Sequence, residues 1–145
     1  MKLIIRKKMF ILKFLKNLEV NMAVFTKLTR IEIEKYISAY NIGDLDNYSE
    51  IIEGIENTNY KIICNGVPYI LTIFEKRVKE EDIPFFINLK IYLNKNNFKC
   101  PLPIKDKNEN VINLIKDKKA IIISFIDGYK INHPKMNECK EIGKS

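Results

Sequence analysis

From residue 28 onward the apolar positions follow first a helical and then a strand period. Ile33, Tyr36, Ile37 and Tyr40 fall three or four residues apart, the spacing of one helix face. Thr29 and Glu32 stand ahead of them as a capping box, and Gly43 lies just past the end of the run. The pattern predicts a helix opening after Thr29. Tyr48–Glu53 and Tyr60–Cys64 then alternate, and Asn65-Gly66 joins the second of these to Tyr69–Phe74. Asn-Gly between apolar runs predicts a hairpin, because both residues tolerate positive φ in a type I′ turn. Pro68 can begin the third strand but not sit at its centre. A meander of three antiparallel strands is expected.

The second half is punctuated more heavily. Glu80-Glu81-Asp82 places acids where a helix start favours them, with Pro84 tolerated in the first turn. Phe85, Phe86, Leu89, Tyr92 and Leu93 give that helix a wide apolar face, and Asn96-Asn97 stops it. Cys100-Pro101-Leu102-Pro103 must be extended, since a residue before proline avoids the helical region. Val111–Ile115 reads as a short strand, Asp117-Lys118-Lys119 as a turn, and Ala120–Ile126 as an almost wholly apolar strand suited to the middle of a sheet. Asp127-Gly128 ends it, and Pro134–Lys144 begins another helix. The expected class is α+β, with five antiparallel strands and a helix inserted after the third.

Composition changes this picture little. The 145 residues are 46% hydrophobic and 30% charged, enough apolar content for a packed core. The net charge of +7 points at first to nucleic acid or a membrane surface. Residues 1–21, however, hold six basic groups against Glu19, so +5 of that charge lies there and +2 in all the rest. No nucleic-acid partner is expected. In residues 1–21, Lys13 and Lys16 break the apolar run, which is too short for a signal peptide or for the roughly 20 apolar residues of a membrane span. We read residues 1–21 as an extension outside the fold, with Met22 as the natural start, and expect a cytoplasmic location. Cys64, Cys100 and Cys139 are far apart, and His133 is the single histidine. Reduced thiols and no metal centre are therefore expected, with Cys64 as a small buried apolar residue.

One stretch resists the plain reading. Glu53–Tyr60, EGIENTNY, sits where the first two strands should turn, and it carries Gly54, Asn57, Thr58 and Asn59. Such residues satisfy local backbone groups in many loops. They can equally donate to phosphate oxygens without importing a full charge.

The words MAVFTKLT, YNIGDL, EGIENTNY, PYILTIFEKRVKEEDIPFF, CPLPIKD and SFIDG resemble, in order and spacing, the N-terminal part of homoserine kinases of the aminoglycoside-phosphotransferase-like family. That resemblance covers the chain from Met22 almost to Ser145. It implies the small, ATP-binding lobe of a protein-kinase-like fold over residues 22–128, and the start of a truncated second lobe over 129–145. It also implies ATP and Mg²⁺ as cofactors, with L-homoserine as the acceptor in threonine biosynthesis.

By that resemblance Gly54, Asn57, Thr58 and Asn59 would cover the ATP phosphates, as the glycine-rich loop does in protein kinases. The third-strand position where protein kinases hold a lysine falls at the uncharged Thr72. Lys76 or Arg77 would then supply the charge, with Glu80 or Glu81 as partner. Ser124-Phe125-Ile126-Asp127-Gly128 would be the hinge that reads adenine through its backbone, with Ile70 and Ile123 as lining residues. The kinase catalytic loop needs an aspartate and an asparagine, and a later aspartate for Mg²⁺. No H-x-D occurs here and no aspartate follows Asp127, so the chain alone is expected to be an inactive portion that self-associates. Two other readings stay open: a kinase of the same superfamily acting on choline, ethanolamine or an aminoglycoside, and a non-catalytic basic module binding polyanions through residues 1–21.

Overall fold

A computed structural model describes residues 25–52, 56–75, 78–128 and 135–143. Helix α1 spans Arg30–Ile37 and opens on the expected capping box. The Thr29 N–H donates to Glu32 Oε2 at 2.7 Å, and the Glu32 N–H donates to Thr29 Oγ1 at 3.3 Å. Lys116 Nζ adds an ion pair to Glu32 at 2.9 Å. The Thr29 backbone N–H, together with Lys116, holds the Glu32 carboxyl down at about 2. The helix ends before Tyr40, which instead bridges to Asp106.

Strands β1 (Leu45–Ile51), β2 (Asn57–Cys64) and β3 (Val67–Phe74) form the meander. Asn65 and Gly66 have φ of 46° and 77°, so the Asn-Gly turn takes the predicted primed form. β1 starts three residues earlier than its alternation implied, because Leu45 already pairs with Cys64 and a bulge then separates it from Asn47. β2 likewise starts at Asn57, not Tyr60, since Asn57 pairs with Phe74 and Asn59 with Thr72. The second half of EGIENTNY is therefore strand and not loop.

Glu80–Asp82 forms a 3₁₀ turn leading into α2, Ile83–Lys95. Asn96 caps α2, and Asn97 leaves it with φ of 65°. β4 (Pro103–Ile104), β5 (Asn113–Ile115) and β6 (Lys118–Ser124) complete the sheet, and α3 covers Met136–Ile142. The turn before β6 is Lys116-Asp117, and the strand ends at Ser124, two residues short of the expected Ile126.

The sheet has six strands in the order β1-β2-β3-β6-β4, with β5 also paired to β6. Five had been expected. β4 pairs with Ile122 and Ile123, while β5 pairs with residues Lys118 to Ala120. The two short strands thus share one edge of β6, and the sheet is five positions wide.

Each face of the sheet has its own core. α1 and the segment after it cover the face carrying Tyr60, Ile62, Cys64, Leu71, Ile73, Ala120 and Ile122. Cys64 is fully buried there, as its alternation implied. Burial pushes its thiol pKa up. α2 covers part of the other face, seating Ile83 and Ile87 against Ile121. The apolar face read from the sequence is turned outward instead: Phe85, Phe86, Leu89 and Tyr92 are all exposed. α2 is apolar almost all round, so its pattern could not say which side meets the sheet. No helix among the described residues is long and apolar enough to cross a membrane.

Candidate nucleotide cleft

Between α2 and the sheet lies a cleft of about 460 Å³. The sheet floor follows from strand alternation and register. Asn57 pairs with Phe74 in the row nearest the β1–β2 turn. Asn59, Thr72 and Ile121 form the next row, and Lys61, Ile70 and Ile123 the row after that. Asn57, Asn59, Thr72, Phe74, Ile121 and Ile123 all line the cleft. The amides and the hydroxyl therefore lie in the two rows nearer the β1–β2 turn, beside Phe74 and Ile121, and the row toward the exit of β6 holds Ile70 and Ile123 with Lys61. Asp82, Phe86 and Lys90 line the opposite wall from the helix side. They stand four residues apart, which puts them on one stripe.

The polar groups at the turn end are only partly matched to one another. Thr72 Oγ1 donates to Asn59 Oδ1 at 2.8 Å. With that oxygen engaged, the Asn59 amide has its N–H groups left to donate. Asn57 Oδ1 is buried and has no hydrogen-bond partner among the described residues. A buried acceptor left unpaired costs about 1–3 kcal/mol, so the site has unused capacity for a polar ligand.

The expected site residues divide sharply. Gly54 and Lys76 lie outside the described residues. Asn57, Asn59 and Thr72 converge on the cleft. Thr58 does not: successive strand residues face opposite sides, and its side chain is fully buried in the other core. Its hydroxyl accepts from the N–H groups of Phe25 and Thr26 at 2.9 and 3.0 Å and donates to Glu75 Oε1 at 2.7 Å. Thr58 is thus a structural residue, withdrawn from any ligand.

Ser124 is also committed elsewhere. Its Oγ accepts from the Leu102 N–H at 2.9 Å, and its own N–H donates to the Leu102 carbonyl at 2.8 Å. It clasps the extended prolyl passage onto the sheet. Ile126 follows the end of β6 and is half-buried. Ile70 and Ile123 face each other across β3 and β6 on the cleft side. Lys61 sits 4.3 Å from the centre of the Phe125 ring, which occupies that cation at the same end.

Lys76 and Arg77, the partners expected for Glu80 or Glu81, lie outside the described residues; among the described residues both acids lie near other lysines. Glu80 Oε2 lies 3.7 Å from Lys119 Nζ, and Glu81 Oε1 lies 3.8 Å from Lys79 Nζ.

Sequence reasoning missed two groups. Lys90 was unremarked, although its spacing from Asp82 and Phe86 could have marked the stripe. The second group is a buried network behind the floor. Glu75 accepts from Thr26 and Thr58 at 2.7 Å each and pairs with Lys118, whose Nζ also donates to Thr26 Oγ1 at 2.6 Å. Burial alone would raise the Glu75 carboxyl. The bonds from Lys118, Thr58 and Thr26 outweigh it and hold the group below its ordinary value. These residues are too far apart in the chain for any local pattern to link them.

The architecture matches that of spectinomycin phosphotransferase APH(9)-Ia, a structure solved with ADP and spectinomycin. The TM-score is 0.55 at 13% identity, covering 70% of this chain and 30% of that one. The fold is thus that of the kinase-like phosphotransferases.

Sequence similarity narrows this further. Homoserine kinases of Agrobacterium fabrum and Sinorhizobium medicae are 36% identical to the chain over 124 residues, and that of Mesorhizobium japonicum is 37% identical. The chain is a homologue of homoserine kinases along 86% of its own length, and it spans 38–39% of the length of these relatives. No protein-family profile matches it.

Proposed function

We propose that the chain is the nucleotide-binding part of a homoserine kinase, an enzyme that moves the γ-phosphoryl of ATP onto the side-chain hydroxyl of L-homoserine. Similarity to proteins of that name supports the acceptor, and a fold neighbour solved with ADP supports the donor. One observation in this chain carries the reading: the neutral polar groups of the cleft floor, Asn57, Asn59 and Thr72, all lie toward the β1–β2 turn, and Ile70 and Ile123 lie on the same face toward the β6 exit. A nucleotide has the same polarity along its length, with phosphates at one end and a flat apolar base at the other.

In this reading the amides of Asn57 and Asn59 face the phosphates, and Thr72, whose one hydroxyl hydrogen goes to Asn59 Oδ1, turns the Asn59 N–H groups toward them. Neutral donors in a part-enclosed cleft bind phosphate oxygens without the desolvation cost of a buried charge. Ile70 and Ile123 contact the base, and residues 124–128 offer it backbone N–H and C=O groups. Gly54 and Lys76 belong to the same proposal from the sequence. Mg²⁺ would arrive with the nucleotide, held largely by phosphate oxygens and water. It supplies neutralisation of phosphate charge when bound. The residues that orient the homoserine hydroxyl are not assigned to this chain, since its sequence has no H-x-D and no aspartate beyond Asp127. A cytoplasmic location accords with such a biosynthetic role.

Titration calorimetry of the 145-residue chain with Mg·ADP is expected to give saturable 1:1 binding. No phosphorylation of L-homoserine should accompany it when ATP is supplied. A chain that binds neither ADP nor adenosine would overturn the nucleotide reading. Turnover by this chain alone would overturn the view that the chemistry resides elsewhere.

A further inference from the structure

A cleft that takes a polyphosphate must balance charge left over after Mg²⁺ has neutralised part of it. The strand floor cannot do so, because Asn57, Asn59 and Thr72 are all uncharged. Among the described residues the cations lining the cleft are Lys79 and Lys90. Lys79 is 75% exposed along its side chain and lies 3.8 Å from the Glu81 carboxylate. Lys90 is half-buried, and its ammonium has no ion pair or hydrogen-bond partner among the described residues. Its stem is part-covered while the ammonium is not among the buried polar groups left without a partner, so it is free to meet an anion that enters the cleft.

We propose that Lys90, projecting from α2 across the cleft, is a phosphate-binding cation of this site, so that the inserted helix supplies charge that the uncharged Asn57, Asn59 and Thr72 of the strand floor cannot. The inference rests on the nucleotide reading above. Its geometry is set by the helix: one turn above Lys90, Phe86 lines the same wall, and Ile87 anchors the helix to Ile121 on the sheet. The Lys90 carbonyl accepts from Cys100 Sγ at 3.3 Å, which ties that turn of α2 to the extended passage following the helix. Lys90 thus comes from a braced part of the fold, and its side chain can reach a phosphate while its stem covers apolar surface.

The test compares the 145-residue chain with its Lys90→Met and Lys90→Arg variants, using Mg·ADP and adenosine as separate ligands in calorimetry and thermal melts to confirm folding. Losing a charge-assisted contact to phosphate should weaken Mg·ADP binding by about tenfold or more. Adenosine affinity should stay within about twofold, and Lys90→Arg should retain most of the ADP affinity. An adenosine carrying a 5′-sulfonyl fluoride in place of its phosphates should label Lys90, with ATP protecting it. Unchanged ADP affinity in Lys90→Met, an equal loss for ADP and adenosine, or labelling of Lys79 with Lys90 untouched would each overturn the assignment while leaving a nucleotide site in place. If the parent chain binds neither ligand, the nucleotide reading falls and this one with it.

Discussion

Lys116 and Asp117 join β5 to β6 with φ of 49° and 61°, a left-handed pair built without glycine. L-residues pay for that conformation, aspartate less than most. Lys116 recovers the cost, because its ammonium bonds the Lys27 carbonyl at 2.8 Å and pairs with Glu32 at 2.9 Å. Among the described residues Asp117 makes no comparable side-chain bond. Asp117→Gly should therefore stabilise the chain by about 0.5–1 kcal/mol, seen as a higher urea midpoint with unchanged slope. At Gly43 the reverse holds. Its φ is +87°, and an added Cβ would lie 2.4 Å from Asn65 Cγ. Asn65 cannot easily yield, since its Oδ1 accepts from the Asp44 N–H at 3.1 Å. Gly43→Ala should cost about 2 kcal/mol or more, and a melt indistinguishable from the parent would refute this.

At the scale of elements, the network around Glu75 holds the segment before α1 to the end of β3 and the start of β6. The carboxyl pKa is lowered in the folded chain, so its contribution is full above the unfolded value near 4.5. That contribution fades as pH falls through the folded value. Glu75→Gln should weaken folding by about 2 kcal/mol at neutral pH and flatten the loss of stability below pH 4.5. A variant as acid-sensitive as the parent would show that other carboxylates govern the transition. Asp106 provides the comparison. Burial opposes its ionisation, but the N–H groups of Asn108 and Asn110, each at 2.8 Å, and the side chains of Asn110 and Asn113 lower its carboxyl pKa as well. Its contribution is likewise full above its unfolded value near 3.8 and fades as pH falls through the folded one.

Across the whole molecule, α2 turns Phe85, Phe86, Leu89 and Tyr92 to solvent on one side while covering the sheet with the other. Exposed apolar surface of this kind drives association. The 145-residue chain should show concentration-dependent self-association in sedimentation velocity, reduced by Leu89→Glu. A monodisperse monomer at high concentration would count against it.

What local pattern could reach, it reached well. The Thr29–Glu32 cap, the Asn65-Gly66 turn and the stop at Asn96-Asn97 each depend on neighbours within a few residues, and each stands where the sequence put it. Strand ends and side-chain direction did not. Asn57, Thr58 and Asn59 read alike as short polar residues, and only the pairing of β2 with β3 sends Thr58 into one core and its neighbours into the cleft.

The same division governs function. Chain-order words such as PYILTIFEKR, on which the resemblance to homoserine kinases rests, are legible because they are contiguous in the sequence. The choice of α2's buried side, the pairing of Glu75 with Lys118, and the placing of Lys90, Thr72 and Asn59 around one cleft arose only on folding. Each depends on groups from separate elements brought together by burial, and burial is a property of the packed whole that no short window of residues contains.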